Sequence, residues 1–362
     1  MLQLILIGAA GFTLLTLLPG VAWLAWRRRG GWRRLFAWHA ALAVVHLLAT
    51  VPVALAFAGQ AMVGTRGDER GYGGPRIAAD GTWELQSRAT LAAEAAEGGG
   101  DGATVASPFA VALRSRDGTQ LRGFLVPPTP ASGVAKFSAV LVHGLFRGAL
   151  ELEPVAAMLR ELGGEVLLLE LRRHGGSGRA PFTYGRDETD DVLAAVAWLR
   201  ARPAAPRRPL LLFAVSIGTA PAALAAPRIE GLSALVLDAP LDELRATTER
   251  TLGVVEGRRG VVPQPWRSLF LLAAEACGTM PFAEVIPIRA IAALSPDVPV
   301  LLIGGGADTQ MPPTALDRYF AALPTRADRK QLWIHPTAGH GRVWSTAPAA
   351  YRAHLARLVA SF

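Results

Sequence analysis

The chain has 362 residues, room for one domain of about 250 residues and a further segment. It is 51% hydrophobic and 18% charged with a net charge of +8, yet its arginines are scattered and only Lys136 and Lys330 are lysine, which argues against a nucleic-acid surface. Cys277 is the sole cysteine, which excludes an internal disulfide and a cysteine-based metal site.

Leu2 to Trp26 carries no charge and is long enough to cross a bilayer. Arg27, Arg28, Arg29, Arg33 and Arg34 follow, and Leu35 to Val63 is again uncharged, with His39, His46 and Gln60 as its strongly polar side chains. Pro52 inside the second run is tolerated in a membrane helix. These features predict a transmembrane helical hairpin over residues 1–64, and an arginine loop between two spans faces the cytoplasm. Everything after Gly64 then lies on the extracytoplasmic side of a bacterial cytoplasmic membrane. A rival reading takes Arg33-Arg34-Leu35-Phe36 as resembling a twin-arginine export signal, which would make the segment a cleaved leader; the upstream span argues against it. Residues 65–107, with Gly98-Gly99-Gly100-Asp101-Gly102, read as a Gly/Ala-rich linker.

The next elements alternate. Phe109 to Arg114 and Gln120 to Val126 show strand alternation around the hairpin signal Asp117-Gly118. Phe137 to Val142 is a short buried strand that ends in His143-Gly144-Leu145. Glu151 to Leu162 has helical spacing and stops at Gly163-Gly164. Glu165 to Leu171 is a strand, Arg172 to Arg179 a Gly-rich loop, and Asp187 to Arg202 a helix with acids in its first turn and arginine in its last.

Pro209 to Ala226 carries the sharpest signal. Leu210 to Ala214 reads as a buried strand, Val215 to Ile217 as a turn, and Gly218 to Ala226 as a helix. A strand, a tight turn with a central Ser and a helix form a nucleophile elbow. The flanking small residues, Ala214 and Gly218, permit a turn that lifts the Ser216 hydroxyl clear of the backbone. The helix N-terminus then offers free N–H groups to a nearby oxyanion. Further strands follow at Ala234 to Leu237, Val298 to Ile303 and Gln331 to Ile334, with a final helix from Ala347 to Ala360.

This alternation predicts an α/β fold with a mostly parallel sheet covered by helices on both faces. Reactive groups in such a sheet gather beyond the carboxyl ends of the strands. His143, Ser216, Asp308 and His340 each fall just after a strand. Asp238 and His335 also follow strands and compete with Asp308 and His340.

From about Phe109 onward the chain resembles the α/β-hydrolases, most closely the membrane-anchored serine hydrolases related to the prolyl-oligopeptidase-like branch. The motifs are VLVHG, LRRHGGSG, AVSIG, IPIRAIAALSPDVPVLLIGGGAD and AGHG. The resemblance implies an α/β-hydrolase domain over residues 108–362 with a short cap insertion at about 241–296, where Leu269 to Cys277 is mostly apolar. It implies Ser216 as nucleophile, His340 as base, Asp308 as orienting acid, and the N–H groups of Leu145 and Ile217 as an oxyanion hole. His143 and His174 become loop-organising residues, and Glu170 stands where an Asp is more usual. Arg147 lies beside the oxyanion loop.

The expected activity is hydrolysis of an ester, thioester or amide in a small-molecule, lipid or peptide substrate, through an acyl-enzyme. An acyltransferase with the same triad and an inactive membrane scaffold are the alternatives. No cofactor, metal or nucleic-acid partner is expected.

Overall fold

The computed structural model describes residues 109–361 except 130–132, 204–207 and 260–265; before residue 109 it describes Ala41, Val44, 50–55, Tyr72, 74–77, Trp83 and Glu84. The hairpin expected over 1–64 lies almost wholly outside these residues. Among the described residues no helix is long and apolar enough to cross a membrane.

The chain divides into two compact units, residues 62–260 with 281–362, and residues 1–61 with 261–280. The first contains a two-stranded ribbon, β1 (Arg76–Ile77) and β2 (Trp83–Glu84), and an eight-stranded sheet. The sheet strands are β3 (Ala110–Arg114), β4 (Gln120–Val126), β5 (Phe137–Val142), β6 (Gly164–Glu170), β7 (Leu210–Val215), β8 (Leu232–Asp238), β9 (Val300–Gly305) and β10 (Lys330–His335). Their spatial order is β10-β9-β8-β7-β5-β6-β4-β3. The β3–β4 and β4–β6 pairs are antiparallel and the others parallel.

From residue 109 onward the described helices longer than one turn are α1 (Ala149–Glu161), α2 (Glu188–Arg200), α3 (Thr219–Ala225), α4 (Leu244–Arg259), α5 (Trp266–Ala276), α6 (Pro313–Ala322) and α7 (Pro348–Val359). Every residue of β5, β6, β7 and β9 is buried, which is why these strands read as mostly apolar runs, interrupted by Ser138 in β5 and by Glu165 and Glu170 at the two ends of β6. One face, with Leu141, Leu168, Phe213 and Ile303, packs with Leu152 and Leu159 of α1 and Leu355 of α7. The alternate residues, among them Val140, Leu212 and Leu302, are equally buried. Each such Leu or Val contributes about 1.5–3 kcal/mol relative to exposure.

The chain leaves β5 toward β6, then crosses back so that β7 pairs with the opposite edge of β5. The crevice at such a reversal is where open α/β sheets hold ligands. Here it lies between the ends of β5 and β7, at His143 and Ser216.

Three expectations change. Val215 is the last residue of β7, paired with Asp238, rather than part of the turn. The turn is Ser216–Gly218, and the helix behind it is α3. Tyr72, expected in a loosely packed linker, is wholly buried in the sheet's core with its ring edge against Phe124 and its hydroxyl on Glu153. The expected cap insertion divides: α4 belongs to the first unit, and α5, which carries the apolar run, to the second. Within α5, Leu271 and Ala274 are buried while Leu272 is 63% exposed.

Candidate active site

Ser216 sits where β7 stops and turns into α3. Its φ of 54° lies in the left-handed region, a strained state for a residue with a side chain that clusters at functional turns. The turn is tight enough that a Cβ at Gly218 would lie 2.4 Å from the His143 carbonyl oxygen, so only glycine fits there.

His340 comes from the loop after β10 and Asp308 from the loop after β9. Ser216 Oγ lies 2.7 Å from His340 Nε2, and His340 Nδ1 lies 2.7 Å from Asp308 Oδ2. Since a carboxylate only accepts, Nδ1–H is the donor to Asp308, and Nε2 is left as acceptor for the serine hydroxyl. Asp308 Oδ1 accepts the N–H groups of Gln310 (2.8 Å) and Met311 (2.9 Å), which fixes the carboxylate plane. The Asp308 side chain is fully buried, whereas 22% of the His340 side chain is exposed toward the cleft.

The competitors stand elsewhere. Asp238, at the end of β8, is fully buried and accepts a 2.8 Å hydrogen bond from the Tyr351 hydroxyl. Burial pushes its carboxyl up to about 7. His335 Nδ1 accepts the Ala338 N–H at 3.2 Å. Neither is joined to Ser216 or His340 by a hydrogen bond in the described residues.

A cavity of about 670 Å³ opens over Ser216 and His340, with Leu145, Leu150, Thr251 and Trp344 in its wall. Beside it runs the loop His143 to Phe146. His143 Nδ1–H donates to the Gly144 carbonyl at 2.7 Å, and its Nε2 accepts the Leu171 N–H at 3.1 Å. His174 Nδ1–H donates to the Arg172 carbonyl at 3.0 Å, and its Nε2 accepts the Phe146 N–H at 3.3 Å. Each ring is thus a neutral tautomer that spans two backbone segments. Burial holds His143 down at about 3 and His174 at about 4. Leu145 and Ile217 flank Ser216 from the loop and from the elbow turn.

A model of the alpha/beta hydrolase family matches residues 139–354, a span that contains Ser216, Asp308 and His340. The chain belongs to the alpha/beta hydrolase family. Rv2307c of Mycobacterium tuberculosis strain H37Rv, an uncharacterized protein, is 29% identical over 231 residues, 64% of this chain and 71% of its own length. The esterase Pf2001 of Pyrococcus furiosus has the same fold, with a TM-score of 0.58 at 19% identity over 70% of this chain and 90% of that one. The alpha/beta hydrolase GrgF of Penicillium sp. sh18 gives 0.54 at 19% identity over 69% and 96%.

Two parts of this alpha/beta hydrolase are silent in its sequence. The first is Arg172, read there as one residue of a Gly-rich loop. It is buried and binds Asp191 (2.7 Å), Asp117 (2.9 Å) and the Ser115 hydroxyl (3.1 Å), which ties the loop to α2 and to the β3–β4 turn. Glu170, the expected departure from Asp, accepts the Gly176 N–H at 2.8 Å and pairs with Arg122. The second is Glu151, whose Oε2 accepts the Gly144 N–H at 2.7 Å. The sequence marks it only as a first-turn acid of a helix, a commonplace position.

Proposed function

We propose that the protein is a serine hydrolase that cleaves an ester, thioester or amide through an acyl-enzyme on Ser216. The observation that carries this reading is the unbroken pair of 2.7 Å hydrogen bonds from Ser216 Oγ through His340 to Asp308. Ser216 Oγ attacks the carbonyl carbon as its proton passes to His340 Nε2. Asp308 accepts from Nδ1–H, keeps the imidazole in that tautomer and stabilises the imidazolium. The tetrahedral oxyanion is received by the N–H groups of Leu145 and Ile217, each worth about 3–4 kcal/mol in the transition state. Collapse breaks the bond to the leaving group, which takes the proton from His340. Water, deprotonated by the same His340, then releases the acyl group as a carboxylic acid and restores Ser216.

The esterase name of the Pyrococcus furiosus relative and the apolar side chains of Leu145, Leu150 and Trp344 in a cavity wall that also carries Arg147 and Arg342 support an acyl ester as substrate, from a small molecule or a lipid ahead of a peptide. The two uncharged runs around the five-arginine cluster support anchoring in a membrane, with the hydrolase on the extracytoplasmic side.

The test is labelling with a fluorophosphonate serine probe. Wild type should label, and Ser216→Ala should not. A correctly folded wild type that stays unlabelled, or a Ser216→Ala variant that still labels, refutes Ser216 as the nucleophile.

A further inference from the structure

The loop that would supply the first oxyanion donor has three N–H groups in sequence, at Gly144, Leu145 and Phe146. Two are already spent: Gly144 N–H on Glu151 Oε2 at 2.7 Å, and Phe146 N–H on His174 Nε2 at 3.3 Å. The Gly144 carbonyl is spent as well, on His143 Nδ1–H at 2.7 Å. Among the described residues nothing accepts the Leu145 N–H, and Leu145 stands in the wall of the Ser216 cavity. A peptide plane turns as a unit. The Leu145 N–H shares its plane with the Gly144 C=O, which His143 holds, and Glu151 holds the plane before it through the Gly144 N–H; with both planes anchored, the torsions at Gly144 are fixed and with them the direction of the Leu145 amide.

Two of these anchors, His143 and His174, are wholly buried rings. Glu151 differs: its side chain keeps 23% of its surface and lines the same cavity as Ser216 and His340. Its carboxylate lies close enough to Gly144 that an added Cβ there would sit 3.0 Å from Oε2 and 3.5 Å from the Ser216 Cβ. Helix α1 presents Glu151 in its first turn, with Arg147 one turn before it at 3.8 Å. A negative charge beside an oxyanion would oppose catalysis unless it did something else there. Taking the Gly144 N–H is what it does.

We propose that Glu151 is a positioning residue for the oxyanion hole: by holding the Gly144 N–H it leaves the Leu145 N–H as the one unspent donor of the loop, set against Ser216. The inference rests on the hydrolase reading above and adds to it a residue on which the attack of Ser216 does not directly depend.

Three variants test it in the full-length protein: Glu151→Gln keeps an acceptor without the charge, and Glu151→Met and Glu151→Ala remove the acceptor. With a p-nitrophenyl ester, Met and Ala should lower kcat by about 100-fold, the loss typical of one oxyanion donor, with KM within about threefold. Gln should restore kcat to within about fivefold of wild type, because its amide oxygen takes the same N–H. Amide hydrogen exchange at Gly144 should quicken in Met and Ala but not in Gln.

A folded Met or Ala variant with near-wild-type kcat overturns the proposal. So does a loss carried by KM, or a Gln variant as damaged as Ala. If both Met and Ala unfold, Glu151 is a stability element of the whole domain and the proposal falls. If wild type neither turns over the ester nor labels with the fluorophosphonate probe, the hydrolase reading fails on its own, and slow Gly144 exchange that depends on the Glu151 acceptor still decides whether Glu151 holds the loop.

Discussion

At the residue scale the sharpest contrast is between two buried carboxylates at the ends of neighbouring strands. Asp308 has both oxygens engaged, by His340 Nδ1–H and by two backbone N–H groups. Asp238 has one donor, the Tyr351 hydroxyl, and its Oδ1 has no partner among the described residues. Asp308→Asn should therefore lower kcat by about 10³–10⁴, the cost of a wrong imidazole tautomer, while Asp238→Asn stays within a few-fold. Steady-state kinetics on folded variants checks both, and the reverse ranking would move the acid to Asp238. The same contrast predicts a pH effect on stability. Asp238 ionises near 4 in an unfolded chain and only near 7 when folded. Folding then favours its protonated form, a stabilisation that is complete below about pH 4 and lost as pH rises through about 7. Denaturant melts should show the stability of wild type relative to Asp238→Asn falling between pH 5 and pH 8.

At the scale of elements, the loops around the cleft are held by buried polar groups rather than by apolar packing. His143 and His174 titrate near 6.5 when unfolded but only near 3 and 4 in the fold. The unfolded chain binds more protons in between, so stability present above pH 6.5 falls as pH drops toward 4, by about 1.4 kcal/mol per histidine per pH unit. Chemical denaturation should show wild type losing stability relative to His174→Phe between pH 7 and pH 5. Arg172 gives a second element-scale expectation. Arg172→Met leaves the buried Asp191 the backbone N–H of residue 172 but strips it of its guanidinium, and should cost about 3–5 kcal/mol, visible as a lowered Tm. An unchanged Tm would mean that the loop is held otherwise.

These elements also mark how far the sequence could be read. Strands buried on both faces are built mostly of apolar residues, so β5, β7 and β9 are legible in the sequence, and the residues just past their ends follow. The elbow was legible because Ala214 and Gly218 are small where the chain must turn. Contacts between distant segments leave no local pattern. Glu151 on Gly144, Arg172 on Ser115 and Asp117, and Tyr72 on Phe124 each join stretches that composition describes only as helix start, Gly-rich loop or linker. Val215 was read into the turn because the left-handed Ser216 that allows the strand to run to its edge has no signature of its own.

At the scale of the whole molecule the proposed anchoring in a membrane and its sidedness are both testable, because the chain carries its own reporter. Cys277 is the only cysteine and is exposed, so a thiol reagent can reach a single site without engineering. If the five-arginine loop lies in the cytoplasm and both runs span, everything after Gly64 is outside. A membrane-impermeant maleimide added to intact spheroplasts should then label wild type as fully as it labels lysed cells, and Cys277→Ser should not label at all. The two uncharged runs, 25 and 29 residues long by sequence position (2–26 and 35–63), should keep the chain in the membrane fraction through an alkaline carbonate wash. Retention with labelling only after lysis would invert the topology, and the substrate would have to be sought in the cytoplasm. Release by the wash would remove the anchor, as would an N-terminus found at about residue 60, which the twin-arginine reading of Arg33-Arg34 requires. Only retention with labelling in intact spheroplasts fits a hydrolase held at the outer face.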